Sequence, residues 1–443
     1  MSPRHRLNEI EKPLTADSYA ILVVKGTKGT DVSSRFMGRL FGVLACTLLA
    51  ACSTSQPATP SSTVPEGMNY TRQMPKIATD DMAARGTVVS SSDRTPFDLS
   101  QLPPGTRAHT MVYRSVSGIT GSPTEVSGAV FIPPGDPPPQ GWPVIGYAHG
   151  TVGVTPDCGP TVDSRLLGDI IPIAIQLNLG YAVAYTDYAG LGKHAGSSED
   201  AATSHAYLEP KSAAFNLIDA VRAARAVVPQ LSPRWVALGS SQGGETAWAA
   251  AEYFAAYGQG TDLLGAAALV PTLDMSGLVE RAQTSTLTTD QMFLYPNVIE
   301  GLAAVDKTID PDNYLHGVLR DDKETLLACL PPASEGKEAL AGSFLPSDAK
   351  PSTAIAASRL RERLTSYALP QQPTKVPLLV IYGGSDQTVP PEWTEVAMGR
   401  ACARGDTILR IRMEGQGHKL DPGAVLGQWI ADRFANVPAV GNC

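Results

Sequence analysis

One segment constrains the fold of this chain most: an apolar run, Trp235–Gly239, is followed almost at once by the Ala-rich stretch Gln242–Tyr257. The run predicts a buried strand and the stretch predicts a helix, so only Ser240 and Ser241 are left for the turn between them. A strand joined directly to a helix is typical of sheets built from alternating strands and helices. The segment therefore predicts an α/β chain with a sharp turn at the carboxyl end of a strand.

The turn carries the pattern G-x-S-x-G, with Gly239, Ser241 and Gly243. Small flanking residues let the backbone turn without a clash and expose the serine hydroxyl above the sheet. The amino end of the following helix favours a developing oxyanion, because the helix dipole is positive there. The alternative is a plain helix-entry turn that the serine caps. We interpret Ser241 as a catalytic nucleophile, since its neighbour Ser240 lacks the required spacing from both glycines.

The rest of the chain alternates short apolar runs with helical patterns, which is typical of a mostly parallel sheet flanked by helices. An antiparallel hairpin at 110–116 and 125–132 is predicted to open the sheet. Further strands are predicted at 144–148, 182–186, 264–270, 376–382 and 407–413, and further helices at 164–178, 211–228, 392–403 and 424–435.

The strand pattern stops between residues 272 and 375, where the sequence is helical and polar. We predict that 272–375 is a helical cap or lid inserted between two parts of the core, 70–271 and 376–443. An insertion that follows a core strand is expected to lie over the carboxyl edge of the sheet, above the serine. Its apolar patches, Phe293-Leu294-Tyr295 and Val298-Ile299, either line an acyl pocket or form the cap's own core.

A serine hydroxyl needs a base, because it is a poor nucleophile on its own. His418 lies in a Gly-rich loop after the last predicted strand, and Asp386 directly follows the strand before it. The acid therefore falls between Ser241 and the histidine, which is the chain order of this type of site. We predict that His418 takes the serine proton and that Asp386 orients the imidazole and stabilises its charged form. An exposed loop histidine and an Asx-turn aspartate are the structural alternatives.

The other histidines and aspartates have less suitable positions. Asp187 follows a strand but precedes the serine, so we interpret it as structural. His149 is predicted to shape the loop that completes the oxyanion hole. Surface positions are predicted for the remaining histidines of the exported chain, His109, His194, His205 and His316.

An oxyanion hole needs two backbone N–H donors. One is predicted to be that of Gln242, the residue after the nucleophile. The other is predicted to come from the loop after strand 144–148, in which Gly150 and Thr151 are both candidates.

The first 51 residues are interpreted as an export signal. Two arginines precede the apolar run Leu40–Leu49, which is shorter than the ~20 residues that a membrane span needs. The run ends in Leu49-Ala50-Ala51-Cys52, which resembles the bacterial lipobox, and an ordinary signal peptide is the alternative. We predict that Cys52 is acylated, that 52–69 is a flexible tether, and that the lipid anchors the protein to a membrane.

Four cysteines remain after the signal, and in an exported chain they predict two disulfides with three possible pairings. Pairing Cys402 with the terminal Cys443 would tie down the end of the chain. This choice leaves Cys158 paired with Cys329. No C-x-x-C motif or Cys/His cluster indicates a metal site.

Together these motifs resemble the secretory lipase family, the lipase A-type α/β-hydrolases, over roughly residues 70–443. The resemblance implies an α/β-hydrolase fold with an inserted cap and the hydrolysis of carboxylic esters, often of lipids. Ser241, Asp386 and His418 fall on the family's triad, whereas the lipobox departs from the freely secreted members. The matching segments are Tyr147–Thr151, Pro156–Cys158, Gly180–Tyr188, Trp235–Gly244, Gly383–Pro390 and Gly415–His418.

The sequence thus predicts an exported serine hydrolase that cleaves a small-molecule or lipid ester through an acyl-enzyme and requires no cofactor. A peptidase or amidase of the same fold is the alternative, although no group that would grip a peptide's amine or carboxylate is identified. A cell-surface binding module that lost its activity is a third interpretation, and the presence of all three triad candidates argues against it. The 35 Lys and Arg residues against 43 Asp and Glu residues predict no nucleic-acid partner.

Overall fold

The structure is a computed structural model that describes residues 70–192, 204–331 and 334–443. The predicted signal, the lipobox cysteine Cys52 and the tether lie outside the described residues, and so does His194. Within the described ranges, no helix combines the length and the hydrophobicity that a membrane crossing requires.

Nine strands form one sheet, with the spatial order β1-β2-β3-β5-β4-β6-β7-β8-β9. The strands are β1 (Val88–Ser92), β2 (Arg107–Val116), β3 (Pro123–Ile132), β4 (Trp142–Ala148), β5 (Ala182–Thr186), β6 (Leu231–Ser240), β7 (Asp262–Leu269), β8 (Leu378–Gly383) and β9 (Ile408–Met413). The pairs β1-β2, β2-β3 and β3-β5 are antiparallel. The pairs β5-β4, β4-β6, β6-β7, β7-β8 and β8-β9 are parallel. The sheet is therefore mostly parallel, as the sequence predicts.

Helices cover both faces of this sheet. They are α1 (Thr79–Ala84), α2 (Ile170–Asn178), α3 (Pro210–Val227), α4 (Gln242–Tyr257), α5 (Gly277–Gln283), α6 (Thr289–Val305), α7 (Gly317–Asp321), α8 (Lys323–Leu327), α9 (Ser334–Leu340), α10 (Ala354–Tyr367), α11 (Pro391–Cys402) and α12 (Gly423–Phe434). Helices α3 and α4 pack on one face, and α2 and α12 pack on the other.

The central strands contain long apolar runs because both of their faces are covered. In β8, Val380 packs in the layer of α3 and α4, whereas Leu379 and Ile381 pack in the layer of α2 and α12. This alternation follows from the period of two residues in a strand. The predicted α/β-hydrolase type of architecture is confirmed.

Between β7 and β8 the chain forms the six helices α5–α10, with no strand among its described residues. Their buried side chains form a hydrophobic cluster separate from the two core layers. Tyr295, Val298 and Ile299 are fully buried in that cluster, whereas Phe293 and Leu294 are only partly buried beside it. Three of the five residues in the predicted apolar patches thus serve the packing of this helical segment itself.

Three elements differ from the sequence-based expectation. The helix predicted at 164–178 begins only at Ile170, because Leu166 and Leu167 have positive φ values of 53° and 48°. The Asp163 carboxylate accepts hydrogen bonds from the backbone N–H groups of Arg165 and Leu167, and such local bonds compete with a helix. Helix α1 and the Ser-rich edge strand β1, which pairs with β2, were not predicted.

The described residues form two disulfides, Cys158–Cys329 and Cys402–Cys443. The first joins the loop after β4 to the helical segment between β7 and β8, and the second ties the terminal residue to the end of α11. These are the two pairs that the sequence predicts.

Candidate active site

The turn between β6 and α4 holds Ser241 in a strained conformation, with φ 57° and ψ −118°. A non-glycine residue with positive φ is uncommon, and such strain is concentrated at functional sites. The two glycines of the motif are required by close approach. A Cβ atom on Gly239 would lie 2.2 Å from the carbonyl oxygen of Gly243, and one on Gly243 would lie 1.9 Å from that of Ala148. The motif therefore fixes a turn that larger residues could not form.

The structure brings the three predicted triad residues into one hydrogen-bonded row. His418 Nε2 lies 2.9 Å from Ser241 Oγ, and His418 Nδ1 lies 2.8 Å from Asp386 Oδ2. The carboxylate side chain is 2% exposed and that of the histidine is 21% exposed. The imidazole of His418 thus lies between the buried Asp386 carboxylate and the half-buried Ser241 hydroxyl, which is the arrangement that a serine nucleophile needs.

The two loops that carry Asp386 and His418 meet at the carboxyl ends of β8 and β9. A Cβ atom on Gly383 would lie 2.4 Å from the carbonyl oxygen of Gly417, so the loops pass each other at a distance that only glycine allows. The carboxylate is oriented further by its own loop, because Oδ1 accepts the backbone N–H groups of Thr388 at 2.8 Å and Val389 at 2.9 Å. Both oxygens of Asp386 are thereby assigned to fixed partners.

The loop after β4 lies directly against the nucleophile. The Cβ position of Gly150 is 3.8 Å from Ser241 Cβ and 3.3 Å from the carbonyl oxygen of Ser240. The side chain of Thr151 is engaged elsewhere, since its Oγ1 lies 2.6 Å from the hydroxyl of Tyr207. Gln242 is the first residue of α4, so its N–H has no acceptor within the helix. Two sources of backbone N–H donors therefore flank the serine.

His149 is buried behind this loop. Its ring nitrogens lie 2.7 Å from the carbonyl oxygen of Gly150 and 3.2 Å from that of Asp187, and its ring packs 4.4 Å from the ring of Tyr188. The imidazole is thus held from both sides, in a position that can support the loop. Tyr188 adds a second link, because its hydroxyl donates to the backbone oxygen of His149 at 3.0 Å.

Asp187 lies away from the triad and has structural partners. Its buried carboxylate accepts hydrogen bonds from the hydroxyls of Ser127 and Thr161 and from the backbone N–H of Thr161. Burial raises the pKa of Asp187, and these hydrogen bonds oppose the rise. No contact connects this carboxylate to His418 among the described residues.

The predicted surface position of His205 is wrong. The residue is 5% exposed, its Nδ1–H donates to the carbonyl oxygen of Ala189 at 3.2 Å, and its Nε2 accepts from the side-chain amide of Gln242 at 3.0 Å. Burial and the charge of His149 lower its pKa to about 3. His205 therefore holds the side chain of a predicted oxyanion residue. No local sequence signal marks this role, since the contact spans 37 positions. His109 and His316 are half-buried and lie apart from the triad.

The helical segment between β7 and β8 contacts the acid loop at the start of α6. Thr288 Oγ1 donates to the carbonyl oxygen of Gln387 at 2.8 Å, and Gln291 Nε2 donates to that of Thr388 at 3.2 Å. The same two residues form the capping box that begins α6. The helix start and the Asp386 loop are thereby fixed together at the edge of the active site.

The residues near the site do not provide a set of metal ligands in the part of the chain that the structure describes. Asp157, Cys158 and Cys329 lie close together, but the two sulfurs form a disulfide. Metal binding by cysteine needs the thiolate, which an oxidised pair cannot offer.

A family model described as "Secretory lipase" matches residues 165–442, which is more than half of the chain. The matched range contains Ser241, Asp386 and His418 but begins after the Gly150 loop. No curated protein sequence matches the chain significantly.

Several solved structures share the fold at low sequence identity. Candida antarctica lipase A in its closed state has a TM-score of 0.60 and 16% identity, with 81% of this chain and 84% of that chain covered. The rice cell wall degrading esterase LipA from Xanthomonas oryzae has a TM-score of 0.59 and 20% identity, with 80% and 97% covered. A putative hydrolase from Legionella pneumophila has a TM-score of 0.60 and 17% identity, with 79% and 97% covered.

Proposed function

Because the chain belongs to the secretory lipase family of carboxylic ester hydrolases, we propose that it cleaves its substrate with the triad Ser241, His418 and Asp386 through an acyl-enzyme. The observation that carries this proposal is the continuous row of hydrogen bonds from the Ser241 hydroxyl through the imidazole to the buried carboxylate. Among the other described histidines, His316 Nε2 lies 3.5 Å from Ser352 Oγ, but no carboxylate bonds to its ring.

In the first half of the reaction, Ser241 Oγ attacks the ester carbonyl carbon while His418 Nε2 takes the hydroxyl proton. Asp386 keeps the second ring proton on Nδ1, which leaves Nε2 free to act as the base, and it stabilises the imidazolium that forms. The tetrahedral intermediate then collapses. Its alkoxide leaves with the proton from His418, and the acyl group remains bound to the serine oxygen.

In the second half, water takes the place of the alcohol. His418 removes a proton from the water, the hydroxide attacks the acyl carbon, and the acid is released as the proton returns to Ser241. Each half passes through an oxyanion, which the backbone N–H of Gln242 and an amide of the Gly150–Thr151 loop would bind. His205 and His149 support this hole from behind, since one holds the Gln242 side chain and the other contacts the Gly150 carbonyl.

We assign residues 272–375 as a cap over the site and 70–271 with 376–443 as the two parts of the core. The contacts of Thr288 and Gln291 with the Asp386 loop support a position of the cap at the active-site edge. The partly buried Phe293 and Leu294 remain candidates for the wall of an acyl pocket. We expect a small-molecule or lipid ester as the substrate.

The proposal includes export and a lipid anchor. Two disulfides favour an oxidising compartment, because reduced thiols prevail in the cytosol. The sequence Leu49-Ala50-Ala51-Cys52 is the basis for proposing that Cys52 is acylated and that 52–69 tethers the enzyme. Wild-type protein that remained wholly soluble in cell fractionation, without lipid on Cys52, would contradict the anchor.

The test of the triad is p-nitrophenyl butyrate hydrolysis by Ser241→Ala. Removing the nucleophile should lower kcat by roughly 10⁵–10⁶. Ser240→Ala is the matched control, because this neighbour lies in the same turn and should keep most of the activity. A fluorophosphonate should label Ser241 in the wild type. Activity of Ser241→Ala near the wild-type level, or hydrolysis of a prolyl p-nitroanilide in preference to the ester, would contradict the proposal.

A further inference from the structure

Helix α2 and its C-cap residue Leu179 expose a row of aliphatic side chains. Ile171, Ile175 and Leu179 are 50%, 53% and 53% exposed, and their spacing of four residues places them on one face of the helix. We call these three residues the α2 stripe. The opposite face packs on the sheet through Ile173 and Leu177, which are buried.

The composition of α2 makes this exposure unusual. The helix contains no charged residue. Of its two polar side chains, Gln176 is buried, and the amide of Asn178 donates back to the carbonyl oxygen of Ala174 at 2.9 Å. A helix that is hydrophobic all round is normally covered on all sides, whereas a surface helix carries polar residues on its outer face. The α2 stripe therefore indicates a surface that is covered during function.

We propose that the α2 stripe is a contact surface for a lipid bilayer. The stripe is about 12 Å long, because eight residues at 1.5 Å separate its ends. Three side chains over that length fall well short of the ~800 Å² per partner that a stable protein interface buries. A lipid interface has no such size requirement, since burial of apolar surface is non-directional and each side chain contributes separately.

The position of α2 and the anchor proposed at Cys52 agree with this assignment. An acyl anchor at Cys52 would be strengthened by a second membrane contact, because anchoring is stable when two such signals act together. Helix α2 joins the parallel strands β4 and β5 and thus starts at their carboxyl edge. Ile171, at that start, lies towards the sheet edge that carries Ser241. Contact through the stripe would place this flank of the core on the bilayer. The stripe lies outside the catalytic machinery, so the inference does not depend on the triad.

The test is flotation with vesicles of phosphatidylethanolamine and phosphatidylglycerol, using the chain with Cys52→Ser to remove the proposed acyl anchor. Each of Ile171→Gln, Ile175→Gln and Leu179→Gln should lower the vesicle partition coefficient about fivefold (~1 kcal/mol, half the value for a whole aliphatic side chain, since half is exposed). The triple variant should lose about a hundredfold if the effects add. Ile355→Gln, at a position 65% exposed on the cap helix α10, is the matched control and should change nothing.

Hydrolysis of soluble p-nitrophenyl butyrate should be the same in all these variants, which shows that they are folded and separates this inference from the proposed function. Equal partition of the triple variant and its parent would overturn the inference, and so would a parent that does not bind vesicles. If the parent dimerises in sedimentation and the substitutions abolish the dimer, the stripe is a contact between copies of this chain and the membrane assignment is wrong.

Discussion

Replacing Asp386 by asparagine should stop His418 from acting as the base. The reason lies in the hydrogen bonds of the carboxylate oxygen that does not face His418. Its Oδ1 accepts the backbone N–H groups of Thr388 and Val389 at 2.8 and 2.9 Å. An asparagine would keep its carbonyl oxygen in that place, since its NH₂ group can only donate. The NH₂ group would then occupy the Oδ2 position, 2.8 Å from His418 Nδ1.

The consequence is the wrong tautomer of the histidine. A donor facing Nδ1 makes that nitrogen an acceptor, so the ring proton moves to Nε2, which lies 2.9 Å from Ser241 Oγ. A protonated Nε2 cannot take the serine proton. We expect kcat to fall by roughly 10⁴, or about 5 kcal/mol of transition-state stabilisation, while the melting temperature and KM change little.

The assay is steady-state hydrolysis of p-nitrophenyl butyrate together with thermal unfolding. Asp421→Asn is the matched control, because Asp421 lies in the loop of His418 and accepts the N–H of Gly423 at 2.9 Å without touching the imidazole. Its kcat should stay close to that of the wild type. A kcat of Asp386→Asn within about tenfold of the wild type would refute the reasoning about the tautomer.

Three further outcomes are expected. In Gly243→Ala the added methyl group would lie 1.9 Å from a carbonyl oxygen, so urea unfolding should show a loss of at least ~1–3 kcal/mol. Gly427→Ala in α12 adds a methyl group with nothing within 4 Å and should raise the free energy of unfolding by ~1 kcal/mol. Equal changes in the two alanine variants would contradict the packing argument. His205 stays neutral in the fold because its pKa is lowered from 6.5 to about 3; stability should therefore fall as the pH drops below 6.5, by up to ~1.4 kcal/mol per pH unit from this group. His205→Gln should lack that part of the slope, and an unchanged slope would exclude the histidine as its source. Replacing Cys402 and Cys443 by serine opens a loop with a sequence separation of 41 and should lower the free energy of unfolding by about 4 kcal/mol. Peptide mapping that found both thiols free in the wild type would disprove this disulfide.

Some elements of the fold could be predicted closely because local forces determine them. The predicted bounds of the helix Gln242–Tyr257 and the strand Ala182–Thr186 agree with the structure. The helix is an Ala-rich stretch that follows a glycine-bounded turn, and the strand is a short apolar run followed by a turn. The triad candidates could be named for a related reason. Parallel strands end at one edge of a sheet, so the turn after β6 and the loops after β8 and β9 bring their residues to the same place.

The start of α2 could not be predicted, because it depends on competition between local bonds and helix formation. The pattern 164–178 reads as continuous, yet the Asp163 carboxylate binds two nearby N–H groups and the next residues take positive φ values. Periodicity reports which residues can be buried on one face. It does not show which backbone N–H groups bond to a nearby side chain instead of to a helix carbonyl.

The sequence by itself indicated most strands of the sheet, the sharp turn at Ser241 and the three triad candidates, because each is marked by a pattern within a few neighbouring positions. Only the tertiary structure decided the burial of His205 against Gln242, the 2.8 and 2.9 Å contacts of His418, and the exposure of the α2 stripe. The contacts of His205 and His418 join residues far apart in the chain, and the exposure of the stripe depends on which face of α2 packs on the sheet. They depend on close approaches such as Gly383 against Gly417, which arise when whole layers pack and have no signature in a local pattern of apolar and polar residues.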